Sequence, residues 1–143
     1  AFIALLKFEN GAIGSVEATR FAAGRKNHLR LEVHGDEGSI VFNLERLNEL
    51  KVYSVNDPED RRGFRTILVT ERVHPFIDKW WPPGHIIGWE HTFIHEVYHF
   101  INAVVNDAPI EPWGATFYDG LRVNQIVDAI LKSVETGRWE QAR

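Results

Sequence analysis

Short turns divide the first half of the chain, and their length limits how its strands can pair. Asn10-Gly11 separates two apolar runs and is a strong signal for a hairpin, and Asp36-Glu37-Gly38 forms a second tight connection. Parallel neighbours need a crossover of about a dozen residues or more, so such links join antiparallel strands. Strand composition, rich in β-branched and aromatic residues, occurs in residues 2–8, 13–21, 28–35, 39–43, 50–55 and 65–71.

The second half of the chain predicts two helices. Residues 89–105 and 116–137 both repeat apolar side chains at spacings of three and four, which is the period of a helix with one apolar face. Thr116 with Asp119 predicts a capping box, and Gly137 suits the C-terminal end of the second helix. The predicted fold class is therefore α+β: a two-layer sandwich with a largely antiparallel open β-sheet of about six strands and helices packed on one face.

The other face of this predicted sheet needs a partner. In the first strand Ile3 and Leu5 point away from Phe2, Ala4 and Leu6, so both sides of the strand are apolar. Two helices can cover only one side. We expect the second side to meet another domain or another subunit.

The segment His95-Glu96-Val97-Tyr98-His99 spells H-E-x-x-H, the signature of zinc peptidases. His91 extends the same stripe by one turn. However, Asn102 and Val105 occupy the positions where the longer metzincin motif requires glycine and histidine. We therefore expect an amphipathic helix and no metal site, with a zinc-dependent hydrolase kept as an alternative.

Composition excludes several classes of partner. The formal net charge is -4, which argues against a nucleic-acid partner, and no apolar run is long enough to suggest a membrane partner. The chain has no cysteine, which fits a reducing compartment, and we expect a cytoplasmic location. Glu45 and Arg46 are expected to lie in a solvated connector rather than to act as an acid–base pair.

Four blocks of the sequence resemble the C-terminal domain of the Gfo/Idh/MocA oxidoreductases, which include glucose–fructose oxidoreductase, inositol dehydrogenases and rhizopine-catabolism proteins. These blocks are FENGAIGSVEATRFAAG, LEVHGDEGSIVFNLERLNELKVY, HPFIDKWWPPGHIIGWEHTF and DGLRVNQIVDAILKSVETGRWEQ, and together they cover most of the chain. The Trp-Trp-Pro-Pro-Gly-His loop is similar to that of a subgroup acting on sugars, anhydrosugars or inositols.

The resemblance implies an NAD(P)-dependent transfer of hydride at a sugar or polyol hydroxyl. In this family an N-terminal Rossmann domain binds NAD or NADP, and the C-terminal domain binds substrate and forms a homo-oligomer through its open sheet face. The sequence contains neither the Glu-Lys-Pro nor the Asp-x-x-x-His motif of the family. We therefore expect residues 1–143 to be a single substrate-binding and oligomerisation domain of a longer enzyme, with no catalytic or cofactor-binding residue, inactive alone. A non-catalytic dimerisation module is the remaining alternative.

Residues 72–88 form a long loop rich in tryptophan, proline and glycine, which leads into the first predicted helix. Long ordered loops on a rigid scaffold often carry function, and aromatic faces beside a few polar groups suit a sugar ring. The tryptophans could instead be packing anchors. The predicted substrate-binding residues are Trp80, Trp81, His85, Trp89, Glu90 and His91.

Overall fold

The computed structural model describes residues 1–143 and contains six strands and three α-helices. The strands are β1 (Phe2–Lys7), β2 (Ile13–Ala18), β3 (Arg30–His34), β4 (Gly38–Asn43), β5 (Glu49–Ser54) and β6 (Arg65–Leu68). The helices are α1 (Ile77–Trp80), α2 (Trp89–Val105) and α3 (Phe117–Thr136). Every paired strand is antiparallel, so the α+β class and the six antiparallel strands are confirmed.

The chain divides into two compact units. The first, called here the hairpin–helix unit, comprises Ala1–Ala22 and Glu90–Arg143, and the second, the four-stranded unit, comprises Ala23–Trp89. The strands follow this division, because β1 pairs only with β2 while the other sheet has the order β3-β4-β5-β6. One sheet of six was predicted. The connection at residues 19–29 is not a hairpin turn, so the local sequence does not force β2 and β3 to be neighbours.

In the hairpin–helix unit the local turn and cap signals form as predicted. The Phe8 N–H donates to the Ala12 carbonyl over 2.9 Å, and Gly11 adopts the positive φ of 89° that closes the hairpin. At the start of α3 the Thr116 hydroxyl accepts from the Asp119 N–H, and the Asp119 carboxylate accepts from the Thr116 N–H over 2.8 Å. This reciprocal capping box satisfies two backbone donors that the helix itself leaves unpaired.

The apolar stripes of the two long helices remain largely open to solvent within this chain. Neither α2 nor α3 has a buried residue. On α2 the stripe is 52–64% exposed and comprises Phe93, Val97, Phe100, Ile101 and Val104. The apolar periodicity of the sequence correctly predicted both helices. No helix is both long and apolar enough to cross a bilayer.

The four-stranded unit contains the fully buried side chains. Ile77 and Thr70 are each 1% exposed, and Val41 in the middle of β4 is 8% exposed. Ile77 belongs to α1, a single helical turn within the 72–88 segment that the sequence predicted as irregular loop. The segment is therefore held to the unit by a buried side chain.

Asn48 holds the C-terminal end of the same loop through two hydrogen bonds to Ile87. Its Nδ2 donates to the Ile87 carbonyl over 2.8 Å, and its Oδ1 accepts from the Ile87 N–H over 2.9 Å. The Gly84 N–H also donates to the Thr70 carbonyl over 3.3 Å. These bonds and Ile77 fix the loop that carries three of the predicted substrate-binding residues, namely Trp80, Trp81 and His85.

Candidate functional site

The six predicted substrate-binding residues lie in both units. Trp80, Trp81, His85 and Trp89 belong to the four-stranded unit, and Glu90 and His91 belong to the hairpin–helix unit at the start of α2. Trp80 and His91 are half-buried, whereas the other four are exposed.

Trp81 and His85 form one aromatic platform. Their ring centroids are 6.5 Å apart and their planes are inclined by 26°, which is a stacked arrangement. His85 Nδ1 lies 3.0 Å from the Pro82 carbonyl oxygen, so this nitrogen donates to it and fixes the ring orientation. The turn between them depends on Gly84, whose φ of 86° favours glycine. Trp81 is 51% exposed, so one part of the stack can meet a ligand.

Trp89 lines a hollow that the sequence did not predict. The walls of this hollow, called here the Trp89 hollow, are Lys26, Asn27, Leu44, Glu45 and Trp89, and its volume is about 530 Å³. The first two residues come from the connection between β2 and β3, and the next two from the short 3-10 turn after β4. Residues far apart in sequence thus meet beside one of the predicted tryptophans.

Glu45 holds one wall of the Trp89 hollow in place. Its Oε1 accepts from the Lys26 N–H over 2.9 Å, and its Oε2 lies 3.1 Å from Arg25 Nη1 and 3.3 Å from His28 Nδ1. The hydrogen bond from the Lys26 N–H is the main cause that lowers the pKa of Glu45, and His28 and Arg25 lower it further. Burial acts in the opposite direction but does not reverse the shift. The expectation of a solvated connector is compatible with this, because Glu45 is exposed, but its three partners within the chain were not predicted. The basic residues within 25–28 were the one sequence feature that could have indicated a partner for the Glu45 carboxylate.

The histidine stripe of α2 does not assemble a metal site. His99 stacks on Trp113 with ring centroids 5.3 Å apart and planes inclined by 11°. Burial, followed by the neighbouring charges of His91 and His99, lowers the pKa of His95. No group of three or more His, Cys, Asp or Glu side chains is arranged to hold a metal ion. A catalytic zinc site needs three protein ligands, and the H-E-x-x-H segment supplies two of them.

Comparison with known proteins places this arrangement in one family. A family model described as the C-terminal alpha/beta domain of an oxidoreductase family matches residues 1–141. A levoglucosan dehydrogenase from Pseudarthrobacter phenanthrenivorans is 46% identical over 136 residues, which are 94% of this chain and 34% of that protein.

Solved structures give the same result. A levoglucosan dehydrogenase in complex with NADH and levoglucosan is 45% identical with a TM-score of 0.87, over 96% of this chain and 36% of that one. An oxidoreductase domain protein from Kribbella flavida is 42% identical with a TM-score of 0.89, over 97% of this chain and 36% of that one. The chain spans about a third of the length of these relatives. It belongs to the Gfo/Idh/MocA oxidoreductase family, and within that family it is the C-terminal alpha/beta domain.

Proposed function

We propose that this chain is the substrate-binding and oligomerisation domain of an NAD(P)-dependent oxidoreductase that transfers hydride between the cofactor and a hydroxyl of a sugar, anhydrosugar or inositol. The observation that carries this proposal is the 46% identity to a levoglucosan dehydrogenase over 94% of the chain. Levoglucosan is an anhydrosugar, and a related structure is described as a complex with it and NADH. An anhydrosugar is therefore the first substrate to test.

The residues of this chain do not fit the cofactor, which we assign to a further domain of Rossmann type. Gly35 directly follows β3 and Gly38 begins the antiparallel strand β4, so neither glycine opens a helix. A dinucleotide-binding turn needs glycines between a strand and the N-terminus of a helix. In this division of labour the chain described here binds and orients the substrate.

The proposed substrate contacts are the aromatic faces and polar groups beside the 72–88 loop. The stacked Trp81 and His85 rings offer a flat apolar surface with a polar edge, and Trp89 offers a second ring that is 48% exposed. Such surfaces suit a sugar, whose C–H faces are apolar and whose hydroxyls are polar. Trp80, Glu90 and His91 are also proposed to contact the substrate, Trp80 through its ring and Glu90 and His91 through their polar groups.

The activity is tested with the full-length protein, NAD⁺ or NADP⁺, and levoglucosan, followed by a panel of sugars and inositols. We expect substrate-dependent formation of reduced cofactor, seen as an increase in absorbance near its nicotinamide band. Residues 1–143 alone should show no turnover and no binding of NADH. The proposal is wrong if the full-length protein binds NADH but oxidises no member of the panel, or if the isolated chain is active.

The oligomer is proposed to form through the sheet face that carries Ile3 and Leu5. These side chains are 73% and 68% exposed, whereas Ala4 and Leu6 on the opposite face of β1 are half-buried. Exposed apolar side chains gathered on one surface are typical of contacts between subunits. We propose a second copy of the chain as the partner.

A charge placed on this face should break the assembly. Leu5→Glu is expected to reduce the molar mass of the full-length protein, measured by light scattering after size exclusion, to that of a smaller assembly, because a buried unpaired carboxylate is costly. Val73→Glu is the matched control, since Val73 is 89% exposed in the loop of the other unit and should leave the mass unchanged. A monomeric wild type, or an unchanged mass for Leu5→Glu, would contradict this interface.

A further inference from the structure

The walls of the Trp89 hollow combine the groups that recognise a polyhydroxylated ring. Trp89 supplies an aromatic face, Leu44 an apolar contact, and the Lys26 ammonium and Asn27 amide supply hydrogen bonds. The volume of about 530 Å³ lies within the range of small-molecule sites, which is roughly 300–1,000 Å³. The hollow is therefore large enough and chemically varied enough for a sugar.

The polar groups of Lys26 and Asn27 are available to a ligand. Both residues are exposed, and the hydrogen bond of Lys26 to Glu45 uses its backbone N–H rather than its ammonium. No hydrogen bond or ion pair within the chain engages the ammonium of Lys26 or the side-chain amide of Asn27. Three ammonium donors, two amide donors and an amide acceptor thus border the same hollow as Trp89.

The connection that carries these groups is preorganised by Glu45. Residues 23–29 have no regular secondary structure, and such a segment would normally move. The Glu45 carboxylate, which is 24% exposed, bonds to the backbone of Lys26 and to the side chains of Arg25 and His28. Glu45 is itself oriented, because its N–H donates to Asn43 Oδ1 over 3.0 Å. Ordering before binding reduces the entropy lost when a ligand is held.

We propose that Lys26 and Asn27 contact the substrate beside Trp89, and that Glu45 is the positioning residue for them. This inference rests on the proposed function and adds two substrate contacts outside the 72–88 loop. The hydroxyls of a sugar or polyol would accept from the Lys26 ammonium and exchange hydrogen bonds with the Asn27 amide, while its C–H face lies on the Trp89 ring.

The test uses the full-length protein with saturating cofactor and the sugar or polyol that the wild type oxidises best. Lys26→Gln and Asn27→Ala should each raise KM about ten-fold and leave kcat within about two-fold, because they remove binding that is equal in the ground and transition states. The affinity for NADH, measured by fluorescence, should not change. Lys51→Gln and Asn56→Ala are the matched controls, since both side chains are exposed in the same unit but away from the hollow.

Glu45 needs a readout that a purely structural role would not change. Glu45→Ala should raise KM at least as much as Lys26→Gln, and Glu45→Gln should restore part of the affinity because it keeps the acceptor for the Lys26 N–H. A lower melting temperature with an unchanged KM would show that Glu45 only stabilises the fold, and would overturn its positioning role.

The outcomes separate this inference from the proposed function. An active wild type whose KM is unaffected by Lys26→Gln and Asn27→Ala overturns the inference and leaves the function standing. A wild type that binds NADH and oxidises no sugar or polyol overturns both. A rise in KM confined to Lys26→Gln, Asn27→Ala and Glu45→Ala, with wild-type values for both controls, supports the inference.

Discussion

Ile77→Ala is expected to lower the free energy of unfolding of the four-stranded unit by about 2–5 kcal/mol, because it replaces a fully buried aliphatic side chain with a smaller one and leaves a cavity. Ile77 is 1% exposed, and the only other buried side chains of the chain are those of Thr70 and Val41.

Urea unfolding of the full-length protein, followed by tryptophan fluorescence, measures this effect. Trp80 and Trp81 lie at and just after the end of the same helical turn and report on its order. The matched control is Ile86→Ala, since Ile86 belongs to the same loop but is 67% exposed. A surface change of this kind should stay within about 0.5 kcal/mol. Equal effects for the two variants would show that Ile77 is not a core residue.

Asn48→Ala is expected to destabilise the loop at residues 72–88 by about 2–3 kcal/mol, because it removes the partners of a half-buried N–H and a half-buried carbonyl at once. Both groups belong to Ile87, and Asn48 bonds to them over 2.9 and 2.8 Å. Water can reach the site in part, which keeps the loss below that of two fully buried orphan groups. The loop that carries Trp81 and His85 would then open more often.

Hydrogen exchange measures this opening directly. The Ile87 amide should exchange about 30- to 150-fold faster in Asn48→Ala, because a loss of about 2–3 kcal/mol raises the equilibrium constant for opening of the loop by that factor. Asn48→Asp separates the two bonds, since a carboxylate still accepts from the Ile87 N–H but repels the Ile87 carbonyl. Asn56→Ala, at an exposed turn after β5, is the control and should leave the exchange rate unchanged. If the Ile87 amide of Asn48→Ala exchanged at the wild-type rate, the two Asn48 hydrogen bonds would not be what holds the loop closed.

The features that the sequence predicted correctly are local. Asn10-Gly11 closes a hairpin, and Thr116 with Asp119 caps α3, because each signal acts over two or three residues of backbone. The apolar residues of α2 and α3 recur with the helical period, and this pattern too can be recognised within one continuous segment of sequence. The family resemblance added what local physics could not, namely an expected reaction class and the expectation that the cofactor is bound by another domain.

The features that the sequence missed join distant residues whose side chains have no distinctive pattern. Asn48 and Ile87 are separated by 39 positions, and either asparagine or isoleucine would be unremarkable in a loop. Glu45 and Lys26 are separated by 19 positions, and an acid near a basic run has many possible partners. Conversely, the H-E-x-x-H motif on α2 is a strong local signal, yet its histidines are not part of a group of three or more candidate ligands in this chain. Its chemistry could be judged only once the surrounding side chains were placed.

The fastening of the 72–88 loop has a consequence for engineering. The buried Ile77 holds the loop before Trp81, and the two hydrogen bonds of Asn48 to Ile87 hold it after His85. Between Trp81 and His85 the Gly84 N–H donates a third bond to the Thr70 carbonyl. The loop can therefore be exchanged as a unit. A designer could replace its other residues with those of a relative that prefers a different sugar, provided that Ile77, Gly84, Ile87 and Asn48 are kept.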